Sequence, residues 1–265
     1  MVEVAERYEM TWRRLERWLA ELQQTEAESI ALYVKPGHLL DYLGSLGLEQ
    51  VAWLHEIEGL PADLIESETG LVLFWSEACK YVLLPPFPVD VDQFFPAWDT
   101  SYLRALLDKK YLLGVVLLRL GGYSVGVFEG DQLLTSKTGT RFVKGRHKAG
   151  GRSQKRFARR REEQARWLFD KACSVVATQF APYEERLDYV FLGGDRLTLH
   201  SFLKRCEYLQ RLAAKTMARV LHVGKPRHEA LRGVPSQIWK TRVFVLRDGP
   251  EQPDSGPVGG GFIRS

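Results

Sequence analysis

TSKTGTRFVKGRHKAGGRSQKRFARRREEQARWLFDKACSVVATQF, residues Thr135 to Phe180, is a basic segment that runs without a break into an amphipathic pattern. Its first half holds Lys137, Arg141, Lys144, Arg146, Lys148, Arg152, Lys155, Arg156, Arg159, Arg160 and Arg161, and no acid intervenes before Glu162. Those are eleven cations in twenty-five residues, in a chain whose net charge is only +4. Gly150 and Gly151 sit in their midst, followed by Arg152, Ser153 and Gln154. Nothing between Phe142 and Phe157 is apolar enough to bury a loop, which predicts an exposed one. From about Ser153 the pattern turns helical. Ala165, Leu168, Ala172, Val175, Val176 and Phe180 recur at spacings of three or four and make one apolar stripe. The turns from Lys155 to Arg161 carry almost none of it, so they are expected to project beyond the domain body. A glycine-hinged basic loop on the end of such a helix suits a probe for a phosphate backbone.

Basic runs are most often solvated faces or nonspecific tails. Two features set this one apart: it is internal, and its glycine pair is followed within three residues by a neutral amide, which electrostatics alone does not require. GRHKAGGRSQKRFARRREEQ resembles the loop and helix in the middle domain of the eukaryotic and archaeal peptide-chain release factors, where a basic segment runs into Gly-Gly-Gln and then an Arg-Phe-Ala-Arg helix start. It is more similar still to the Vms-like release factor class, the tRNA-releasing factors of ribosome rescue, in which the glutamine is displaced from the glycine pair. Gly150, Gly151 and Arg156-Phe157-Ala158-Arg159 match without a gap. In that register the amide position falls on Arg152. Either Gln154 is the functional amide of a longer loop, or the chain has lost it; the displacement in the Vms-like class favours Gln154.

The resemblance implies a peptidyl-tRNA hydrolase without cofactor or metal. Its partners would be the large ribosomal subunit, the acceptor end of peptidyl-tRNA and ribosomal RNA. Gly150, Gly151 and Gln154 would be catalytic. Lys144, Arg146, His147, Lys148, Arg152, Lys155, Arg156, Arg159, Arg160 and Arg161 would contact RNA. The same class also allows cleavage within the acceptor-end RNA by a ribose 2′-hydroxyl. A third possibility is a scaffold that only binds RNA. No stop-codon-reading module is evident, so release independent of a codon is the expectation.

The remaining chain reads as a mixed α/β protein of the α+β kind. The expected organisation is a small α+β unit over 1–97, a release-factor-like domain over 98–248 and a Gly/Pro-rich disordered tail over 249–265. In the first unit, residues 1–25 look helical throughout, Ile30 to Val34 reads as a strand, and helical segments follow over Leu39 to Leu46 and Leu48 to Glu58. Gly70 to Trp75 and Lys80 to Leu84 are two further strands. The second unit is expected to start with Asp99 capping a helix over Tyr102 to Asp108. Strands over Tyr111 to Leu120, Tyr123 to Phe128 and Gln132 to Ser136 then meet at Gly121-Gly122 and Gly130-Asp131 turns. LLGVVLLRL is nearly all apolar and is predicted to be central and covered on both faces. After the long helix come a strand at Tyr189 to Leu192, helices over Leu197 to Leu203 and Arg205 to Ala213, a strand at Ala218 to Val223 and a helical turn at His228 to Arg232. Trp239 to Leu246 reads as a closing strand or helix. The expected result is a mixed sheet flanked by helices.

Other constellations have structural readings. Gly193-Gly194-Asp195 is a strand-to-helix turn with Asp195 or Thr198 as cap, since neither G-x-G-x-x-G nor a P-loop surrounds it. Glu162 and Glu163 suit pairing with arginines one turn away. Glu184, Glu185 and Asp188 read as surface charges, and Ser153 has no His/Asp partner nearby in sequence. Cys79, Cys173 and Cys206 are odd in number and lack metal-ligand spacing, and the six histidines are dispersed, so a reducing cytoplasm fits and a zinc site does not. No signal peptide and no apolar run near twenty residues is found, against secretion or a membrane span.

Overall fold

The computed structural model describes residues 2–25, 28–46, 56–57, 59–140 and 152–248, the side chains of 152–155, 157 and 158 excepted. Two compact units divide it. One is built from the chain up to Thr100 together with the stretch from Thr241 onward, the other from Ser101–Lys240.

In the first unit, β1 (Val2–Thr11) leads into α1 (Trp12–Gln23), followed by β2 (Ser29–Val34), α2 (Leu39–Ser45), the short α3 (Ala62–Ile65), β3 (Leu71–Ser76), β4 (Lys80–Leu84) and β5 (Gln93–Phe95). The helix expected over residues 1–25 is therefore half strand. Val2, Val4, Tyr8 and Met10 alternate with polar residues, a period of two that suits a sheet, and only from Trp12 do the apolar positions fall at helical spacing. The expected helix from Leu48 to Glu58 falls almost wholly outside the described residues, as does the tail over 249–265. The sheet runs β1-β11-β4-β3-β2-β5. Its β11 (Lys240–Asp248) comes from the far end of the chain and pairs antiparallel with β4, Arg242 opposite Leu84 through Leu246 opposite Lys80. The unit boundary expected after residue 248 thus gives way to one after Lys240: Thr241, Val243 and Phe244 are buried in the sheet of the first unit. Leu32, Leu73, Trp75, Val82 and Leu84 form its core with Leu64 and Phe244.

The second unit opens with α4 (Ser101–Asp108), then the meander β6 (Leu112–Arg119), β7 (Gly122–Glu129) and β8 (Gln132–Thr140). The long helix α5 (Arg152–Phe180) follows, then β9 (Tyr189–Gly194), α6 (Arg196–Leu203), α7 (Glu207–Arg211), β10 (Thr216–Leu221), α8 (His228–Arg232) and α9 (Pro235–Ile238). Strand order is β10-β9-β6-β7-β8. Strands β9 and β10 run parallel to β6, while β7 and β8 run antiparallel in the hairpins that the glycine turns predict. Leu112 to Leu118 are buried without exception, as a central strand covered on both faces requires. Gly194 turns the chain from β9 into α6 at φ +141°, where a β-carbon would collide with the Leu118 carbonyl oxygen. Asp195 then caps α6, its carboxylate accepting from Thr198 N–H and Oγ1–H, each at 2.9 Å. Among the described residues no helix is long and apolar enough to cross a membrane.

Candidate nucleic-acid interface

Helix α5 has 29 residues, about 44 Å at 1.5 Å per residue. Its two parts have different neighbours. Leu168, Phe169, Ala172, Val175, Val176 and Phe180 are buried in the core of the second unit, with Ala165 packed at its edge. Together they bury the stripe legible in the sequence, plus Phe169. Gln179 accepts from Thr135 Oγ1 on β8 at 2.7 Å. Asp170 accepts two hydrogen bonds from Arg205, from Nε and Nη2, each at 2.9 Å. One turn further on, Cys173 is joined to Cys206 by a disulfide with Cα atoms 5.4 Å apart. This corrects the reading of the cysteines as thiols: α5 and the turn before α7 bring together two residues 33 apart in sequence, which spacing alone does not reveal. Cys79 is free.

Upstream of Ala165 no described side chain enters that core. Thirteen residues of the helix, about 20 Å, precede Ala165. Arg156, Arg159 and Arg160 are exposed and Arg161 is half-buried. Arg159 pairs with Glu163 at 3.3 Å and Arg166 with Glu162 at 3.7 Å, the spacing of four expected of them. Arg156, Arg160 and Arg161 make no ion pair among the described residues. The first turn of the helix contains no acid. Arg152, Gln154 and Lys155 stand in that first turn, where the leading four backbone N–H groups have no partner within the helix. Lys144, Arg146, His147, Lys148, Gly150 and Gly151 lie outside the described residues.

Glu184 and Asp188, expected as plain surface charges, anchor this half of the unit instead. Glu184 accepts from Tyr208 O–H at 2.6 Å, and burial followed by that carboxylate pushes the phenol well above its ordinary range. Asp188 accepts from Leu112 N–H at 2.7 Å at the entrance to β6. Among the described residues, no three His, Cys, Asp or Glu come together in a way that could hold a metal ion.

Residues 111–244, just over half of the chain, match the family described as Actinobacteria/chloroflexi VLRF1 release factor. The chain belongs to this family. The matched span takes in the whole sheet of the second unit and all of α5. Peptide chain release factor subunit 1 of Aeropyrum pernix is 25% identical over 91% of this chain and 72% of its own length. The namesake protein of Methanopyrus kandleri is 29% identical over 56% of this chain, which spans about a third of it (36%). A solved structure of the Vms1 mitochondrial localization core is similar with a TM-score of 0.41 and 11% identity, covering 89% of this chain and 94% of that one.

One cluster escaped the sequence reading. Lys225, Arg227, His228 and Arg232 are all exposed and stand on and before α8, which packs along β7 and β8. Its signal was the run Lys225-Pro226-Arg227-His228, with Glu229 the only acid between His222 and Gly233.

Proposed function

We propose that this VLRF1-family chain releases nascent polypeptides from peptidyl-tRNA on stalled large ribosomal subunits, independently of a codon, by hydrolysing the peptidyl-tRNA ester. The observation that carries the reading is the start of α5 at Arg152, with Gln154 in the first turn of the long helix. At that position its backbone N–H is one of the donors the helix itself leaves unpaired, at the positive end of the helix dipole. Such an N–H can take the developing oxyanion of the ester, and one donor of this kind contributes roughly 3–4 kcal/mol. The side-chain amide can orient a water or the terminal ribose hydroxyl against the carbonyl. Glutamine is neither acid nor base, so its work is positioning, with substrate hydroxyls carrying the protons. Gly150 and Gly151 allow the backbone to approach RNA in conformations closed to other residues.

The cations supply affinity. Lys144, Arg146, His147, Lys148, Arg152 and Lys155 precede the exposed Arg156, Arg159 and Arg160 in sequence, so the segment that leads into the helix is strongly basic. Phosphates of the acceptor end and of ribosomal RNA are their complement. A cytoplasmic location goes with that substrate.

The test is incubation with purified large subunits bearing labelled peptidyl-tRNA, followed by analysis of the tRNA 3′ end. Freed peptide with an intact CCA end is the expected result. A shortened tRNA would replace hydrolysis by cleavage of the acceptor end, and binding without release would leave a scaffold that uses the loop for affinity alone.

A further inference from the structure

The face of the second unit's sheet opposite α5 also carries cations, on and before α8. Face assignments follow from strand register. Val125 and Val127 on β7 belong to the core under α5, and their partners Lys137 and Thr135 share that face, as the Thr135–Gln179 bond requires. Ser124 and Gly126, with their partners Thr138 and Ser136, point the other way. On that opposite face lies α8. A β-carbon at Gly126 would stand 2.9 Å from Leu231 Cδ2, and Ser136 Oγ is 3.4 Å from His228 Nδ1. Further along, a β-carbon at Gly122 would stand 3.7 Å from Pro226 Cγ and equally far from Thr140 Cα. Thr140 is the last residue of β8. The Lys225-Pro226-Arg227 turn therefore sits at the strand end that feeds the basic segment, across the sheet from α5.

This turn is held in place. Arg227 N–H donates to Lys225 C=O at 2.8 Å and closes the chain around Pro226. Gln237 clamps the residue that enters the loop, its Oε1 accepting from His222 N–H and its Nε2 donating to His222 C=O, both at 3.0 Å. Some surface cations of the second unit have acidic partners, as Lys109 has Asp188, Arg186 has Glu129 and Arg205 has Asp170. Lys225, Arg227 and Arg232 make no ion pair among the described residues, and Glu229 is the sole acid near them in sequence. A hydrogen-bonded turn that presents unneutralised cations to solvent suits a polyanion.

We propose that Lys225, Arg227 and Arg232 form a second phosphate-contacting surface, which binds the backbone of the same RNA that the start of α5 approaches. The RNA is then gripped from both faces of the sheet end. Contacts from two directions fix the angle at which the loop meets its target, whereas one projecting helix fixes only proximity. This inference rests on the RNA reading of the site, and the experiment separates the two.

The probe is a fluorescent RNA hairpin with the shape of a tRNA acceptor arm, titrated with the full-length protein across a salt series. The K225A/R227A/R232A protein should show a log–log salt slope shallower by about 2–3 units, and at about 0.1 M salt an affinity lower by on the order of 100-fold. The K225R/R227K/R232K protein should bind as the wild type does. Unchanged affinity and slope in the alanine protein would overturn the second surface, whether or not the wild type releases peptide. An equal loss of binding to a poly-glutamate peptide would also overturn it, because the surface would then be a generic acid-binding patch. Slope loss in a protein whose wild type fails to release peptide would sustain this surface while removing the hydrolase assignment.

Discussion

Replacing Arg159, Arg160 and Arg161 by alanine tests whether the projecting half of α5 touches phosphate. These residues lie four to six positions upstream of Ala165, where the helix meets the apolar core, and none of them belongs to that core. The structural cost is small. Arg159 gives up its exposed pair with Glu163, about 0.3–0.5 kcal/mol for such a helical pair. Alanine returns a few tenths of a kcal/mol through its higher helix propensity. The unfolding midpoint should stay within a degree or two of wild type, since 1 kcal/mol shifts a domain of this size by roughly 2–4 °C. Binding is another matter. Each phosphate contact contributes about 0.7–0.9 units of salt slope, so loss of three should flatten the slope by about 2–3 units. The readout is fluorescence anisotropy of a labelled acceptor-arm hairpin over a salt series, with thermal melts run alongside. An unchanged slope with an unchanged melt would make these arginines a solvated face and refute the reasoning.

Three further outcomes are expected. Gln154→Ala should abolish release from the large subunit while occupancy is retained, and Arg152→Ala should weaken binding yet leave release at saturating protein; loss of turnover confined to the Arg152 variant would move the active position there. Cys173→Ser should destabilise the second unit by about 2–4 kcal/mol in chemical denaturation, given the 33-residue separation the bond closes, and a reductant should bring the wild type to the same midpoint. Burial raises the Asp92 carboxyl, but the Lys35 N–H at 2.8 Å, His38 and the Lys35 charge outweigh it and hold the group below the ordinary carboxylate value. Its stabilisation is thus complete above the unfolded value near 4 and fades as pH falls through the folded one, so Asp92→Asn should flatten the acid limb of urea stability measured against pH.

Periodicity carried most of the second unit, because each of its elements has one clear pattern. LLGVVLLRL could only be central, and the stripe from Ala165 to Phe180 could only face a core. The misses share a cause: they depend on partners distant in sequence. Val2–Thr11 alternates, yet its charged residues sit well on a helix too, and only a neighbouring strand from the far end of the chain decides the matter. That strand, β11, is in turn assigned to the first unit by pairing with β4, which no local pattern announces. The same holds for Cys173 with Cys206 and for Glu184 with Tyr208. At the candidate site the cations and the glycine pair were legible as a run. The cluster around Pro226 was not, because its position near Thr140 comes from packing across a sheet.

The placement of charge along α5 also bears on why the loop and the helix belong together. Anions favour a helix N-terminus and cations a C-terminus, each by about 0.3–1 kcal/mol. Here neither preference is met: the first turn holds Arg152 and Lys155 with no acid, and the last turn holds no base. Such a start would fray in an isolated peptide. It is sustained because Leu168, Ala172, Val176 and Phe180 already fix the other half, so the upstream turns need only propagate from a formed helix and not nucleate one. Under the function proposed above, phosphates bound at the same end would relieve the unfavourable charge. A sequence selected for helix stability alone would place Asp or Glu where Arg152 and Lys155 stand. Under the proposed function, their presence is what a surface that meets a polyanion would require.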